Sequence, residues 1–368
     1  MEDQNWYTIA STKNIVTPAL MVYPDRIVKN IEKMIAIAGG TEMLRPHIKT
    51  HKMAEVIALQ LQFGIRKFKC ATIAEAELLA KCGAKDILLA MQPVAININR
   101  FFELITAYPN TCFSTLVDNS TSVKNLSEIA VARNTTINLW LDIDCGMHRT
   151  GIAPEGEAIV VYKAIIKATQ LVAKGFHVYD GHIHDEDIEE RKKTCAIAFA
   201  PVLELKNKLQ KEGIKIETII AGGTPTFPIF ASREGIETSP GTPLLWDAGY
   251  GSNYKDLDFL PAAVLLTRVV SKPKTNLVCF DLGHKAVASE MPLPRVQFLT
   301  PNKANQISQS EEHLVVETAE ELEIGEVCYA VPIHICPTVS KYKSVLTVEN
   351  GSVSGSWDVA ARDHKMTI

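Results

Sequence analysis

Short apolar, β-branched runs alternate along most of this chain with longer stretches whose apolar residues recur at helical spacing. The runs are "EMLRPHIKT" (42–50), "KFKCAT" (67–72), "DILLAM" (86–91), "TCFSTLVD" (111–118), "TINLWLDID" (136–144), "KGFHVYDGHI" (174–183), "IETIIAGG" (216–223) and "GIETSPGT" (235–242). Among the helical stretches, "TIAEAELLAKCGA" (72–84) opens with Thr72 and carries Glu75 three residues on, the signature of a capping box. "DIEERKKTCAIAFAPVLELKNKLQKEG" (187–213) is longer; Gly213 suits its C-terminal cap, and Pro201 predicts a kink or break. Strands that alternate with helices pair in parallel through right-handed crossovers. Eight such units is the count of a closed (β/α)8 TIM-like barrel, an α/β fold; the alternative, a doubly wound open sheet, usually needs fewer.

After about residue 250 the pattern changes to strand-like runs joined by turns, such as "AAVLLTRVVSK", "NLVCFDLG" and "EVCYAVPIHI". That texture predicts an antiparallel β-domain. The expected division is a barrel over 17–250 and a C-terminal β-domain over 251–368 together with 1–16. "TPALMVY" (17–23), which precedes the eight units, is expected to pair with the C-terminal domain.

Bulk properties narrow the function. With 368 residues and 46% hydrophobic content, the chain can bury a large core. A net charge of -4 argues against nucleic acid or an anionic membrane as the main partner. No apolar run reaches the roughly 20 residues of a membrane helix. "MEDQNWYTIASTKN" lacks the features of a secretory signal, and eight scattered cysteines include no CxxC pair. Both point to a cytoplasmic protein with reduced thiols.

In a barrel of this kind the chemistry sits at the C-terminal ends of the strands. There the sequence places His47, Lys49 and His51, then "DIDCGMHRTG", "YDGHIHD", "AGGTPTF" and "SPGTPLLWD". The glycine turns after strands seven and eight can present backbone N–H groups to an anion, a common phosphate site in barrels. A phosphate site facing a lysine suggests a phosphorylated aldehyde cofactor. Neighbouring cations help free a lysine amine for attack on such an aldehyde, and Arg45, His47, His51 and Lys52 are the expected neighbours of Lys49. If the strand alternates, His47, Lys49 and His51 share one face. "PIHICPT" spaces His334 and Cys336 two apart, on one face of a strand, and both residue types bind divalent metals.

Taken together, "RPHIKTHK", "DIDCGMHRTG", "YDGHIHD", "AGGTPTF", "SPGT" and "PIHICPT" resemble the D-threonine aldolase and D-serine dehydratase family. Its members are pyridoxal 5'-phosphate enzymes with an alanine-racemase-like barrel and a C-terminal β-domain. The resemblance implies that Lys49 binds the cofactor covalently and that Arg149 lies near its phenolic oxygen. It implies that Gly222, Gly223, Thr224, Gly241 and Thr242 hold the phosphate, and that Tyr179 neighbours the ring nitrogen, since Ser239 cannot supply the charge that racemases place there. It implies a divalent metal (Zn, Mn or Mg) on His334 and Cys336 that binds the substrate's β-hydroxyl, and a homodimer. Of His182 and His184, His182 is the expected acceptor of the hydroxyl proton. The substrate would be a small β-hydroxy D-amino acid. "DGH" favours the aldolase branch, giving glycine and an aldehyde; the His-x-Cys pair favours the dehydratase branch, an ammonia-lyase. More remote readings are an amino-acid racemase, with Tyr250 or Tyr254 as second base, a non-catalytic pyridoxal-phosphate-binding protein, and a metal-dependent hydrolase built on His182 and His184.

Overall fold

The computed structural model describes residues 5–368, and the chain divides into two compact units. One comprises 34–49, 60–241 and 363–368; the other comprises 1–33, 50–59 and 242–362. Residues 1–4, grouped above with the C-terminal domain, lie outside the described residues.

Strand β1 (Ala19–Val22) belongs to the second unit; the next seven belong to the first. These are β2 (Lys67–Cys70), β3 (Asp86–Leu89), β4 (Cys112–Val117), β5 (Ile137–Ile143), β6 (Leu171–Val178), β7 (Thr218–Ala221) and β8 (Ile236–Thr238). They pair in parallel, in chain order. The stretch expected as the first barrel strand is not a regular strand. Instead Leu44 bridges Thr238 of β8 and His47 bridges Lys69 of β2, both in parallel. Arg45 N donates to Thr238 O at 2.8 Å, and Lys69 N donates to Pro46 O at 2.9 Å. The segment thus joins β8 to β2 and completes the ring. It stays irregular because Pro46 has no N–H to give, and because the chain turns into a 3₁₀ turn at Ile48–Thr50. For the same reason the expected strand alternation of His47, Lys49 and His51 does not hold.

Local signals largely predict the helices between the strands. Thr72 Oγ1 accepts from Glu75 N at 3.1 Å, while Glu75 Oε2 reaches back to Ala71 N rather than to Thr72. Asp187 caps the long helix Ile188–Lys211, which continues through Pro201 without the expected break. Pro201 stands on the exposed side, where water can satisfy the carbonyl that its missing N–H leaves open.

Inside the barrel, Leu88, Leu116, Trp140 and Ile220 form an apolar plug, with Trp140 Nε1 donating to Ser114 Oγ. Because strand side chains alternate, residues two apart share a face, so Asp142 follows Trp140 on β5 and Lys69 follows Lys67 on β2. Near the strand starts, the wholly buried Arg45 binds Glu237 at 2.7 Å and Asp86 at 2.7 and 3.1 Å; Lys67 binds Glu237 at 2.6 Å. Asp86 and Lys67 are the first residues of their strands, so Arg45 lies at the barrel's floor rather than its mouth.

The second unit is built on β9 (Ala263–Lys274), β10 (Leu277–Phe280), β11 (Val296–Thr300), β12 (Asn305–Gln309), β13 (Leu314–Glu317), β14 (Val327–Pro332), β15 (Ser344–Glu349) and β16 (Ser352–Asp358). Its sheet runs β12-β13-β10-β9-β1-β15-β16, with β14 also on β9 and β11 on β14. Every pairing is antiparallel except β1 with β15. As expected from "TPALMVY", β1 inserts into this sheet, and Met21 and Tyr23 pack there with Val264, Leu266 and Tyr329. No described helix is long and apolar enough to cross a membrane.

Replacing Arg45 with methionine would leave the buried Glu237 with Lys67 as its only cation of the two, and Asp86 without Arg45. Removing one member of such a pair costs about 3–5 kcal/mol. Urea unfolding of Arg45→Met should show a loss of that order; a loss below about 1 kcal/mol would mean that the ion pair contributes as little as a surface one.

Candidate active site

Three cations surround one aromatic ring at the C-terminal ends of the barrel strands. Tyr179 directly follows β6, and Lys49 Nζ lies 5.8 Å from its ring centroid, Lys69 Nζ 5.6 Å and Arg149 Cζ 4.8 Å. The ring is held close against the backbone: a Cβ at Gly181 would sit 2.4 Å from Tyr179 Cε1. An aromatic face attracts a cation, but three cations there repel one another.

The sequence reading missed Lys69. It is only 5% exposed, and its amine is pushed down to about 7, by burial first and then by Lys49, with Arg149 adding to the effect while Asp142 and Asp180 oppose it. Its signal was present in "KFKC": a lysine repeated on alternate positions of a parallel strand that should be apolar on both faces. The first lysine serves the floor, the second the mouth.

Buried polar groups surround this cluster. Asp142 Oδ1 pairs with His177 Nδ1 at 2.7 Å, and its Oδ2 accepts from Gln92 at 2.8 Å. Burial, followed by the nearby Lys69 charge, pushes the His177 imidazole down, although Asp142 opposes this. Burial pushes the Asp180 carboxyl up. Three buried atoms here have no hydrogen-bond partner: His177 Nε2, Asp180 Oδ2 and Ser239 Oγ.

The expected neighbours of Lys49 behave differently from the sequence expectation. Arg45 is tied to carboxylates at the floor. His47 Nδ1 accepts the Lys49 N–H at 3.3 Å, so that nitrogen carries no proton. His51 is wholly buried, and desolvation pushes it down to about 3, leaving it neutral. Lys52 donates to Ala361 O at 3.4 Å. Lys69 and Arg149 supply the positive charge instead.

The glycine turns are partly engaged. Gly222 has φ +81, a conformation that favours glycine. Gly223 N donates to Asp180 Oδ1 at 3.1 Å, and Gly241 N to Thr224 Oγ1 at 3.3 Å, so two of the expected anion donors have internal partners. Thr242 falls in the second unit, with Oγ1 3.8 Å from Cys336 Sγ. His182 packs its ring on Gly146, where a Cβ would meet Nε2 at 2.8 Å, and its buried Nδ1 has no partner. His184 is exposed.

In the second unit, β14 ends before His334, which caps a short helix, Ile335–Val339. The pair is therefore not on a strand as expected, yet the two side chains meet. His334 Nδ1 pairs with Glu290, and the ring also hydrogen-bonds Cys336. Burial alone would lower the His334 value, but the bonds to Cys336 and Glu290 and the Asp247 charge raise it to about 9. Thr50 Oγ1 lies 3.2 Å from Cys336 Sγ. Among the described residues, no three His, Cys, Asp or Glu side chains are grouped to hold a metal. None of the eight cysteines is in a disulfide.

The model of the alanine racemase N-terminal domain matches residues 22–244, and that of a serine dehydratase domain matches 262–348. The chain is 32% identical to a 3-hydroxy-D-aspartate aldolase of Paracoccus denitrificans over 95% of its own length and 92% of the relative's. The chain belongs to the D-threonine aldolase and D-serine dehydratase family. A D-threonine aldolase of Arthrobacter sp. is 27% identical over 94% of this chain and 92% of its own. The crystal structure of the D-threonine aldolase from Filomicrobium marinum superimposes with a TM-score of 0.85 at 26% identity, covering 94% of this chain and 96% of that one. The family's barrel and mostly antiparallel second domain are the fold seen here.

Enzymes of this family use pyridoxal phosphate, and the barrel mouth fits such a group. It offers a lysine amine, two further cations for an anionic ligand, and unpartnered polar atoms at His177, Asp180 and Ser239.

Lys69 carries a stability consequence of known sign. Its folded value lies below its unfolded one, so the unfolded chain binds more protons between about pH 7 and the ordinary lysine range. Lys69 therefore destabilises the fold fully below about pH 7, and less as pH rises. In cofactor-free protein, Lys69→Met should melt above wild type at neutral pH, with the gap closing toward pH ~10; a gap independent of pH would contradict a strained amine.

Proposed function

We propose that the protein is a pyridoxal-phosphate- and metal-dependent lyase of β-hydroxy D-amino acids, cleaving Cα–Cβ to give glycine and an aldehyde. The observation that carries this reading is the placing of Lys49 beside Lys69 and Arg149 around Tyr179, at the strand ends of a barrel whose relatives are D-amino-acid aldolases. The cofactor, when bound, supplies an electron sink for negative charge developing at Cα. Lys49 would hold the cofactor covalently through its amine. Arg149 would favour an ionised phenolic oxygen on the cofactor, and Tyr179 would neighbour its ring nitrogen. Gly222 and Thr224, with Gly223 and Gly241, would form the phosphate end, the internal bonds of Gly223 and Gly241 giving way to it.

His182, with its unpartnered Nδ1, accepts the proton of the β-hydroxyl. Loss of that proton drives retro-aldol cleavage, whereas loss of water requires a proton to be given to the same oxygen. The unpartnered Nδ1 of His182 would suit the acceptor that the aldolase outcome needs. A dehydratase reading retains support from the serine dehydratase domain match over 262–348, which contains His334 and Cys336.

His334 and Cys336 would hold the divalent metal, with Glu290 on the other imidazole nitrogen, a common support for a metal-binding histidine. Any remaining ligands would come from water. Such a metal supplies a Lewis acid for the hydroxyl. We include a cytoplasmic homodimer in this reading, on the basis of the family.

Purified protein with cofactor and Mn²⁺ or Zn²⁺ should convert D-threonine to glycine and acetaldehyde. Keto-acid and ammonia from D-threonine or D-serine would establish the dehydratase instead, and no turnover of these or of 3-hydroxy-D-aspartate would refute both. Lys49→Ala should give no detectable product. Glu290→Gln should weaken metal binding by about 10–100-fold by calorimetry; unchanged affinity would remove Glu290 from the metal's support.

A further inference from the structure

Arg149 is exposed, and among the described residues no acceptor binds its guanidinium, which stands 4.8 Å from the Tyr179 ring. Its place is therefore set by the turn after β5 that carries it. The ends of that turn are fixed: Ile143 bridges Ile152, Asp144 N donates to Ile152 O at 2.9 Å, and Ile152 N donates to Asp142 O at 2.9 Å. Between those ends the backbone takes shapes that side chains resist. His148 has φ +52 and Gly151 φ +98, and a Cβ at Gly151 would meet Asp144 N at 2.7 Å. Such conformations persist only where the surroundings determine them. Here three carboxylates do so. Asp144 Oδ1 accepts from Gly146 N at 2.9 Å and from His148 N at 3.0 Å, and Oδ2 pairs with His148 Nδ1 at 2.8 Å. Beyond Arg149, Asp118 Oδ2 accepts from Gly151 N at 3.2 Å and from Gln92 at 3.0 Å, while Asp142 bonds the Thr150 side chain.

We propose that Asp144 is a positioning residue for Arg149: by binding the N–H groups of Gly146 and His148 it fixes the turn in the shape that brings the guanidinium to Tyr179, where the cofactor's phenolic oxygen would lie. His148, Thr150 and Gly151 are each anchored to a carboxylate, so the residue between them reaches the ring from a preset backbone. The two bonds to one oxygen of Asp144 are charge-assisted and bind backbone, which gives them their weight. The ion pair to the His148 imidazole, which is 83% exposed, adds little. Asp144 thus acts through the turn and not on the reacting atoms. The inference rests on the proposed place of Arg149 at the phenolic oxygen.

The test follows cofactor binding rather than turnover. Cofactor-free protein is titrated with pyridoxal phosphate, and the concentration at half-saturation is read from the visible absorbance. Arg149→Met and Asp144→Ala should each raise it roughly tenfold. In the double variant, Asp144→Ala should add less than about twofold, because the turn then carries no guanidinium to misplace. Asp144→Asn keeps an oxygen for the two N–H groups and should recover most of the affinity. His148→Ala removes only the exposed pair and should stay within about twofold of wild type. If Asp144→Ala does not fold, Asp144→Glu, which keeps the charge but not the reach, carries the same expectation. Wild-type affinity in the alanine or glutamate variant overturns the proposal. So does an Asp144 effect of equal size with and without Arg149, which would make the aspartate a general support of the barrel mouth. A loss in His148→Ala as large as in Asp144→Ala also overturns it, by moving the hold to the ion pair. Arg149→Met separates the two levels of the argument. If it binds cofactor as wild type does, the assignment of Arg149 fails; if it binds weakly while Asp144→Ala does not, only the role of Asp144 fails.

Discussion

The structure depends on a crowding of like charge. Lys49, the buried Lys69 and the exposed Arg149 converge on Tyr179, and the buried Asp142 and Asp180 offset them only partly. Such a cluster is unfavourable unless an anion arrives or an amine gives up a proton. Both outcomes suit a phosphorylated aldehyde. The fold can sustain the strain because the barrel below is conventional: an apolar plug around Trp140, a ring closed through Leu44 and His47, and a paired set of charges at the floor.

Much of this was legible in the residues. Alternating apolar runs located seven of the eight parallel strand sites, with ends up to several residues off, because short buried strands read as apolar blocks and helices as periodic ones. "TPALMVY" read as a strand outside the barrel, and it inserts between β9 and β15. What was not legible depended on local backbone shape. Pro46 and the 3₁₀ turn after it undo the alternation that placed His47, Lys49 and His51 on one face, and His334 caps a helix rather than ending a strand. Pro201 breaks nothing, because its missing bond falls on the wet side of a long helix.

The charges of "RPHIKTHK" show the limit of reading composition locally. One stretch contributes a floor ion pair in Arg45, a neutral acceptor in His47, a buried neutral imidazole in His51 and the candidate amine in Lys49. The cation beside that amine comes from another strand. Only barrel closure brings Lys69 there, and closure is a tertiary event. The signal lay in the alternate lysines of "KFKC", which is interpretable once the strand is known to line the interior.

The account stands or falls on which nitrogen binds the aldehyde. Protein loaded with pyridoxal phosphate, reduced with borohydride and digested should carry the pyridoxyl mass on the peptide containing Lys49, with Lys69 unmodified. A label on Lys69 or on surface lysines, with Lys49 free, would contradict it.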